Sequence, residues 1–161
     1  MPPLVRTAIF TVLVPGFWTV VLPYWLLPRG ARPDVSGFRL LGGVAIVLGA
    51  AIYAWCAFWA FAQVGRGTPG PWDPPRHLIV HGLYRIVRNP MYWGVGLTVL
   101  GEAALFHSTA LLQVLLIFVT VVSVFVLLYE EPTLRRAFGA EYEQYCREVP
   151  RWLPRLRRLE P

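Results

Sequence analysis

The chain carries few charged residues and no lysine. Only 15% of its 161 residues are charged, 56% are hydrophobic, and its mean hydropathy is +0.51. This composition is too apolar for an ordinary soluble protein and is typical of a membrane protein, whose apolar surface is covered by lipid. All fifteen basic residues are arginines. In a membrane protein a basic excess reports orientation, so we do not expect nucleic acid binding. The length predicts one domain, 1–161.

Cysteine is also scarce. Cys56 lies in an apolar stretch and Cys146 in the C-terminal polar segment, so the sequence indicates neither a disulfide nor a cysteine-based metal site. His77 and His81 are four residues apart in a proline-rich connection and lack a third ligand. We therefore predict no metal site.

Four apolar stretches predict four transmembrane helices and hence an all-α polytopic membrane helix bundle. The predicted spans are 8–27, 38–61, 90–106 and 110–129. Pro15 and Gly16 predict a kink in the first span. Three glycines predict a close approach of another helix to the second span, namely Gly42, Gly43 and Gly49.

The connections are predicted from their turn-forming residues. Glycine and proline make 63–80 irregular, although Trp72 and 78–80 indicate that it returns to the membrane surface. Residues 107–109 predict a tight turn in which Ser108 or Thr109 caps the next helix. Residues 133–149 have helical periodicity and predict an amphipathic helix that lies on the membrane interface.

Four spans place both termini and the polar segments on one side of the membrane. That side holds twelve arginines, and the other has only Arg29, Arg32 and Arg39. By the positive-inside rule the motif-bearing side is cytoplasmic, in a membrane of the bacterial inner (plasma) type.

Two polar segments, 81–94 and 130–132, flank the last two spans. The tight turn near Ser108 makes those spans antiparallel neighbours, so residues equidistant from it lie at one depth. On this count Glu130 is level with Ile86, and Glu131 with Arg85. The two carboxylates are therefore predicted to meet the arginine-rich segment.

The meeting point has two poles. Asn89 and Pro90 predict a helix start whose free N–H groups and dipole are positive, with Arg85 and Arg88 beside them. The opposite wall carries two glutamates, of which at most one faces a ligand, because helical neighbours diverge by about 100°. Such a cleft suits S-adenosylmethionine, which carries both charges. Each residue also has a simpler interpretation when it is considered alone. The arginines would be orientation signals, Glu131 would pair with Arg135, and Tyr92 and Trp93 would be interfacial aromatics.

Two further features lie within the third span. Glu102 is an intramembrane carboxylate and so a candidate site residue. The alternatives are that it is protonated, or that it lies at the far interface beside His107. Gly94 and Gly96 ease helix packing, or alternatively let a nucleoside approach the backbone.

The motifs resemble those of the isoprenylcysteine carboxyl methyltransferase and phospholipid methyltransferase superfamily. Its Arg-His-Pro-x-Tyr pattern stands here as 88–92, with Asn89 in place of histidine, and its Glu-Glu pair as Glu130-Glu131. Gly82-Leu83-Tyr84-Arg85 and Val149-Pro150-Arg151 also look like the isoprenylcysteine branch. The resemblance covers roughly 65–155, so 63–161 is interpreted as a methyltransferase-like core that follows an N-terminal helix pair, 8–62.

The resemblance implies a pocket for S-adenosylmethionine and a lipid or lipidated acceptor that enters from the bilayer. Its cofactor-binding residues would be His81, Tyr84, Arg88, Asn89, Pro90, Tyr92, Glu130 and Glu131. Arg85 and Arg151 are candidate anchors for a carboxylate acceptor, and Glu102, Glu130 or Glu131 would take the proton of an amine. An isoprenylcysteine-type carboxylate is the first acceptor hypothesis. The alternatives are phospholipid N-methylation, a reductase related to the sterol reductases with NADPH, and a non-catalytic scaffold.

Overall fold

The computed structural model describes residues 1–34, 36–64 and 77–154, and their regular structure is helical. The α-helices are α1 (Pro3–Leu13), α2 (Leu22–Leu26), α3 (Leu40–Ala54), α4 (Pro90–Leu105), α5 (Thr109–Phe125) and α6 (Glu131–Glu148). Three π-helical segments continue them, namely Phe17–Val21, Trp55–Val64 and Val126–Glu130, and two 3-10 helices cover Gly37–Arg39 and Gly82–Arg85. The all-α prediction is confirmed, whereas the connection predicted around Trp72 falls outside the described residues.

Three helical stretches are long and apolar enough to cross a membrane. They are Leu4–Leu26, Leu40–Ala62 and Thr109–Glu148, the last of which runs from α5 into α6. Val12 and Leu128 show how these helices turn apolar side chains outward, since they are 72% and 76% exposed. At 16 residues, α4 is about 24 Å long, which is short of the roughly 30 Å of a bilayer core. The fourth span therefore stays a prediction.

The first span is interrupted where Pro15 and Gly16 predicted a kink. Helix α1 ends at Leu13, and the chain continues through the π-helical Phe17–Val21 into α2. Pro15 has no N–H to donate, and its own carbonyl accepts a hydrogen bond from Thr19 Oγ1 at 2.9 Å. The helical start at Pro3 lies earlier than the predicted boundary at residue 8.

Helices α3 and α4 pack backbone to backbone through two glycine pairs. A Cβ on Gly49 would lie 2.5 Å from the carbonyl oxygen of Gly94, and one on Gly101 would lie 2.4 Å from that of Gly42. Both helices repeat glycine after seven residues, so the pairs recur on one antiparallel contact face. The predicted close approach is confirmed for Gly42 and Gly49. It is wrong for Gly43, beside which a Cβ would meet nothing within 4 Å.

A tight turn makes α4 and α5 a hairpin, as predicted. Ser108 Oγ accepts a hydrogen bond from the backbone N–H of Leu111 at 3.3 Å, which caps α5. His107 adopts a positive φ of 52° in the turn. The N-terminus of α4 and the C-terminal end of α5 consequently lie at the same end of the hairpin.

Helix α6 follows α5 without a loop and is broken at Gly139, whose φ is 51°. Beyond the break, Tyr142 and Tyr145 are buried with Val149, and Leu78 and Val80 pack against this cluster. Helix α6 covers most of the stretch predicted at 133–149, and it begins two residues before that stretch. Its placement on the membrane interface stays a prediction.

Candidate functional site

Glu131 is the most heavily paired side chain at the open end of the hairpin. Arg151 binds it with two hydrogen bonds, from Nε to Oε1 at 2.6 Å and from Nη2 to Oε2 at 3.0 Å. Arg88 Nη1 lies 3.1 Å from Oε1, and Arg135 Nη2 lies 3.7 Å from Oε2. Glu131 is only 5% exposed, and a buried carboxylate of this kind needs such compensation. The bond to Glu131 also raises the pKa of Arg151, which keeps it charged.

Glu130 faces a different partner. Its Oε2 accepts a hydrogen bond from the Tyr92 hydroxyl at 2.8 Å, and no arginine pairs with it among the described residues. Glu130 is the last residue of the π-helical Val126–Glu130, and π-helical turns of this kind occur often at functional sites. The two neighbouring carboxylates therefore have different environments, since Glu131 is paired with arginines and Glu130 with a phenol.

The depth count from the sequence needs correction by a few residues. It placed Glu130 level with Ile86, whereas its partner is Tyr92, and it placed Glu131 level with Arg85, whereas its partner is Arg88. The count assumed a helix on both sides of the turn, but α4 begins only at Pro90. Before that residue the chain does not follow the helical rise. The meeting of the two segments was predicted, but the pairs were not.

A strap of residues 149–153 crosses the N-terminus of α4. Three of its carbonyls in succession accept hydrogen bonds from that end of the helix. Their donors are Arg88 N to Pro150 O at 2.9 Å, Asn89 Nδ2 to Arg151 O at 3.1 Å, and Trp93 Nε1 to Trp152 O at 2.9 Å. Together with the ion pair between Arg151 and Glu131, these contacts fix the strap over the site.

The sequence predicted that the Asn89 side chain caps α4, and this prediction is wrong. It stands at the N-cap position, but its amide donates to the strap instead. The residue is 7% exposed, and its amide nitrogen serves as a donor to a carbonyl. In this chain the motif residue Asn89 therefore binds the strap.

Arg88 links the site to α6 and retains one free donor. Its Nη1 lies 2.7 Å from Cys146 Sγ and 3.5 Å from the Tyr142 hydroxyl, in addition to Glu131. Its Nε is buried without a hydrogen-bond partner in the described part of the chain. Burying a charged donor without an acceptor costs free energy, so Arg88 Nε is a candidate contact for an anionic group of a ligand.

Tyr84 is a packing residue behind the site. It is 7% exposed and stacks on Trp55 with ring centroids 6.5 Å apart, and its carbonyl accepts from Tyr145 at 2.7 Å. Burial, followed by the contact with Cys56, raises the pKa of its phenol well above the ordinary value. Tyr84 therefore stays neutral and supports the segment that leads to Arg88.

His81 and Arg85 lie away from the ion-pair cluster. Both are exposed, and neither side chain has a hydrogen bond or ion pair among the described residues. Arg85 lines a groove of about 610 Å³ between the 78–86 segment and α6, together with Glu141 and Glu148. Neither residue therefore pairs with Glu130 or Glu131 in the part of the chain that the structure describes.

Glu102 is also separate from the cluster. Ten helical residues place it about 15 Å from Tyr92 along α4. Its Oε2 is buried without a partner in the described residues. Of the three predicted catalytic residues, only Arg151 lies at the cluster, where Glu131 already binds its guanidinium.

Several contact residues were not predicted as site residues. Cys146 and Tyr142 contact Arg88, and Trp152 joins Trp93 and Tyr92. The spacing of four residues between Tyr142 and Cys146, which places both side chains on one face of α6, is a sequence signal for the first pair. The motif at 149–151 pointed to the strap but not to its contacts with α4, because these are made by backbone carbonyls that every residue possesses.

The fold and site together define a helical integral membrane protein with an arginine–carboxylate centre at one end of its α4–α5 hairpin. The chain belongs to the phospholipid methyltransferase family, whose family model matches residues 38–141, more than half of the sequence. This confirms the resemblance to the membrane methyltransferase superfamily. The match includes α3 and ends within α6, ahead of the strap. No curated protein and no solved structure matches the chain.

Proposed function

We propose that the protein transfers a methyl group from S-adenosylmethionine to an amphiphilic acceptor in the membrane. The observation that carries the proposal is the division of labour between the two glutamates. Glu131 pairs with three arginines, whereas Glu130 has Tyr92 as its only hydrogen-bond partner within the described part of the chain. The membership of the family supports methyl transfer in general.

The residues at the cluster fit the cofactor. Arg88 Nε is a buried donor for which the described residues provide no acceptor, and the cofactor carboxylate is a suitable acceptor for it. Glu130 has an oxygen that Tyr92 does not engage and would hold the ammonium or the ribose hydroxyls. When bound, S-adenosylmethionine supplies an electrophilic methyl group. Asn89 and Pro90 would support this seat through the strap and the start of α4.

The chain's own residues would do three things for the reaction. The ion pairs of Glu131 hold Arg88 in place, which orients the seat before a ligand arrives. The strap and the buried Tyr142 and Tyr145 exclude water from it. Glu130 would accept the proton that an ammonium acceptor must lose before its nitrogen can attack.

An aminolipid is the acceptor that these charges favour. The group beside Tyr92 is a carboxylate, which attracts an amine, and Arg151 is already bound to Glu131. An isoprenylcysteine-type carboxylate is the second candidate. The observation that favours it is Arg85, which has no ion-pair partner in the described residues and lies along a groove beside α6.

The decisive experiment is binding of S-adenosylmethionine to the purified protein in detergent, measured by calorimetry. Glu130→Gln and Arg88→Gln should abolish or strongly weaken binding. Glu143→Gln is the matched control, because Glu143 is an exposed glutamate of α6 whose partner is Arg135. Binding that survives in Glu130→Gln would overturn the proposed role of that residue.

Methyl transfer is then measured with labelled cofactor on phosphatidylethanolamine vesicles and, separately, on a farnesylated cysteine. Glu130→Gln should lower kcat/KM on the amine by about a hundredfold or more, since a general base usually contributes that much. Methylation of the farnesylated cysteine alone would establish the second candidate. Binding of NADPH instead would favour the reductase alternative, and binding of neither nucleotide the scaffold.

We further propose that the site faces the cytoplasm. The arginine count of the sequence supports this orientation. A green fluorescent protein fused to the C-terminus should fluoresce in a bacterial host, whereas alkaline phosphatase fused there should be inactive. The opposite pair of results would reverse the orientation.

A further inference from the structure

An apolar groove lies between α4 and α5 and leads away from the site. It encloses about 360 Å³, and its walls are almost entirely hydrocarbon. Tyr92 and Trp152 line one end, and Leu100 and Leu116 lie toward the other. Because Tyr92 also binds Glu130, the groove has a carboxylate beside its first residue, and apart from Ser123 the side chains beyond are apolar.

The outer rim of the groove is part of the exposed apolar surface of α4 and α5. Leu116 is 69% exposed, Val119 50% and Leu100 42%. In a protein that spans a membrane, such a rim lies against lipid chains. The groove is therefore open to the bilayer along its length and polar only at one end.

The polar end of the groove is closed by a fixed side chain. The Trp152 ring packs on that of Tyr92 with centroids 6.3 Å apart, and its carbonyl is held by Trp93 Nε1. The preceding residue, Arg151, is bound to Glu131. Contacts on both sides thus fix Trp152, the residue with which the strap lines the end of the groove.

Gly96 forms part of the groove, and it differs from the other glycines of the α3–α4 pair. Gly42, Gly49, Gly94 and Gly101 all face backbone at less than 3 Å from an added Cβ, so helix packing explains them. A Cβ on Gly96 would have only ordinary contacts, at 3.7 Å with Leu115 and 3.9 Å with Phe118. Packing does not require glycine there, but a larger side chain would fill the groove.

We propose that the hydrocarbon chain of the acceptor lies in this groove, with Gly96 as a specificity-determining residue that keeps space for it. The proposal rests on the function proposed above and names the part of the acceptor that the protein recognises. The head group would lie at Tyr92 and Glu130, and the chain would run past Gly96 toward Leu116. Gly96→Leu should then exclude the chain without altering the cofactor seat.

The test compares Gly96→Leu with Gly43→Leu, a control at which an added side chain meets open space on α3. For dioleoyl phosphatidylethanolamine, Gly96→Leu should raise KM tenfold or more, since losing contact with two or three methylenes has about that effect. The affinity for S-adenosylmethionine and the rate with the short-chain dihexanoyl lipid should stay unchanged. Gly43→Leu should resemble the wild type throughout.

A second measurement does not depend on methyl transfer. Hexadecylamine should raise the Tm of the wild type and of Gly43→Leu more than octylamine does, and Gly96→Leu should lose that difference. If Gly96→Leu keeps both the wild-type KM and the hexadecylamine shift, or if the wild type shows no such shift, the groove proposal is overturned. Absence of cofactor binding with the alkylamine pattern intact would overturn the proposed function and leave the groove standing.

Discussion

The adjacent glutamates provide a matched pair of substitutions with opposite expected results. Glu131→Gln should destabilise the protein strongly, whereas Glu130→Gln should leave its stability within about 1 kcal/mol, since glutamine still accepts the Tyr92 hydrogen bond. The side chain of Glu131 is 7% exposed and that of Arg88 9%. Removing the carboxylate charge therefore leaves Arg88 buried and uncompensated.

Breaking a buried ion pair from one side costs about 3–5 kcal/mol. In a chain of this size, 1 kcal/mol shifts the Tm by roughly 2–4 °C, so Glu131→Gln should lower it by about 10 °C. The assay is thermal unfolding in detergent, followed by tryptophan fluorescence. Glu143→Gln, which breaks an exposed pair with Arg135, should cost no more than about 1 kcal/mol.

A double-mutant cycle separates this pair from general disruption. Arg88→Met combined with Glu131→Gln should recover part of the stability that Glu131→Gln loses, because the double variant no longer buries the unpaired charge of Arg88. Equal Tm values for Glu131→Gln and Glu143→Gln, or strictly additive losses in the cycle, would refute the assignment of Glu131 to the ion-pair centre.

Three further predictions concern the scaffold. Gly49→Ala should lower the Tm or prevent folding, since its Cβ would lie 2.5 Å from a carbonyl oxygen of α4. Gly43→Ala should be neutral or stabilise the protein by up to about 1 kcal/mol. Thermal unfolding of both variants tests the glycine contact. Asn89→Ala should raise the proteolytic susceptibility of the C-terminal strap, whose Arg151 carbonyl loses its donor, and limited proteolysis that matches the wild type would contradict that contact. Ser108→Ala should cost about 1 kcal/mol by loss of the α5 cap, and an unchanged unfolding midpoint would count against the cap.

The sequence by itself determined the hairpin and the meeting of its two polar segments. Hydropathy, the Asn89-Pro90 step and the turn at Ser108 are local signals, and each acts over a few residues. They were sufficient to place α4 beside α5 and to bring Glu130 and Glu131 to the arginine-rich segment. The glycines of α3 likewise predicted a close helix contact. Only the packing of α4 against α3 shows that Gly42 and Gly49 make this contact and Gly43 does not.

The tertiary structure decided which atoms meet. Glu130 and Glu131 are chemically identical in the sequence, and only the turn of the helix at this point assigns one to Tyr92 and the other to three arginines. The hydrogen bonds of the strap could not be predicted from its 149–151 motif, because they are accepted by backbone carbonyls, which have no side-chain signature. Asn89 has the residue type of a helix cap, but a nearby carbonyl of Arg151 takes its amide instead. Local chemistry determined where groups of opposite charge gather, and packing over long separations determined their partners.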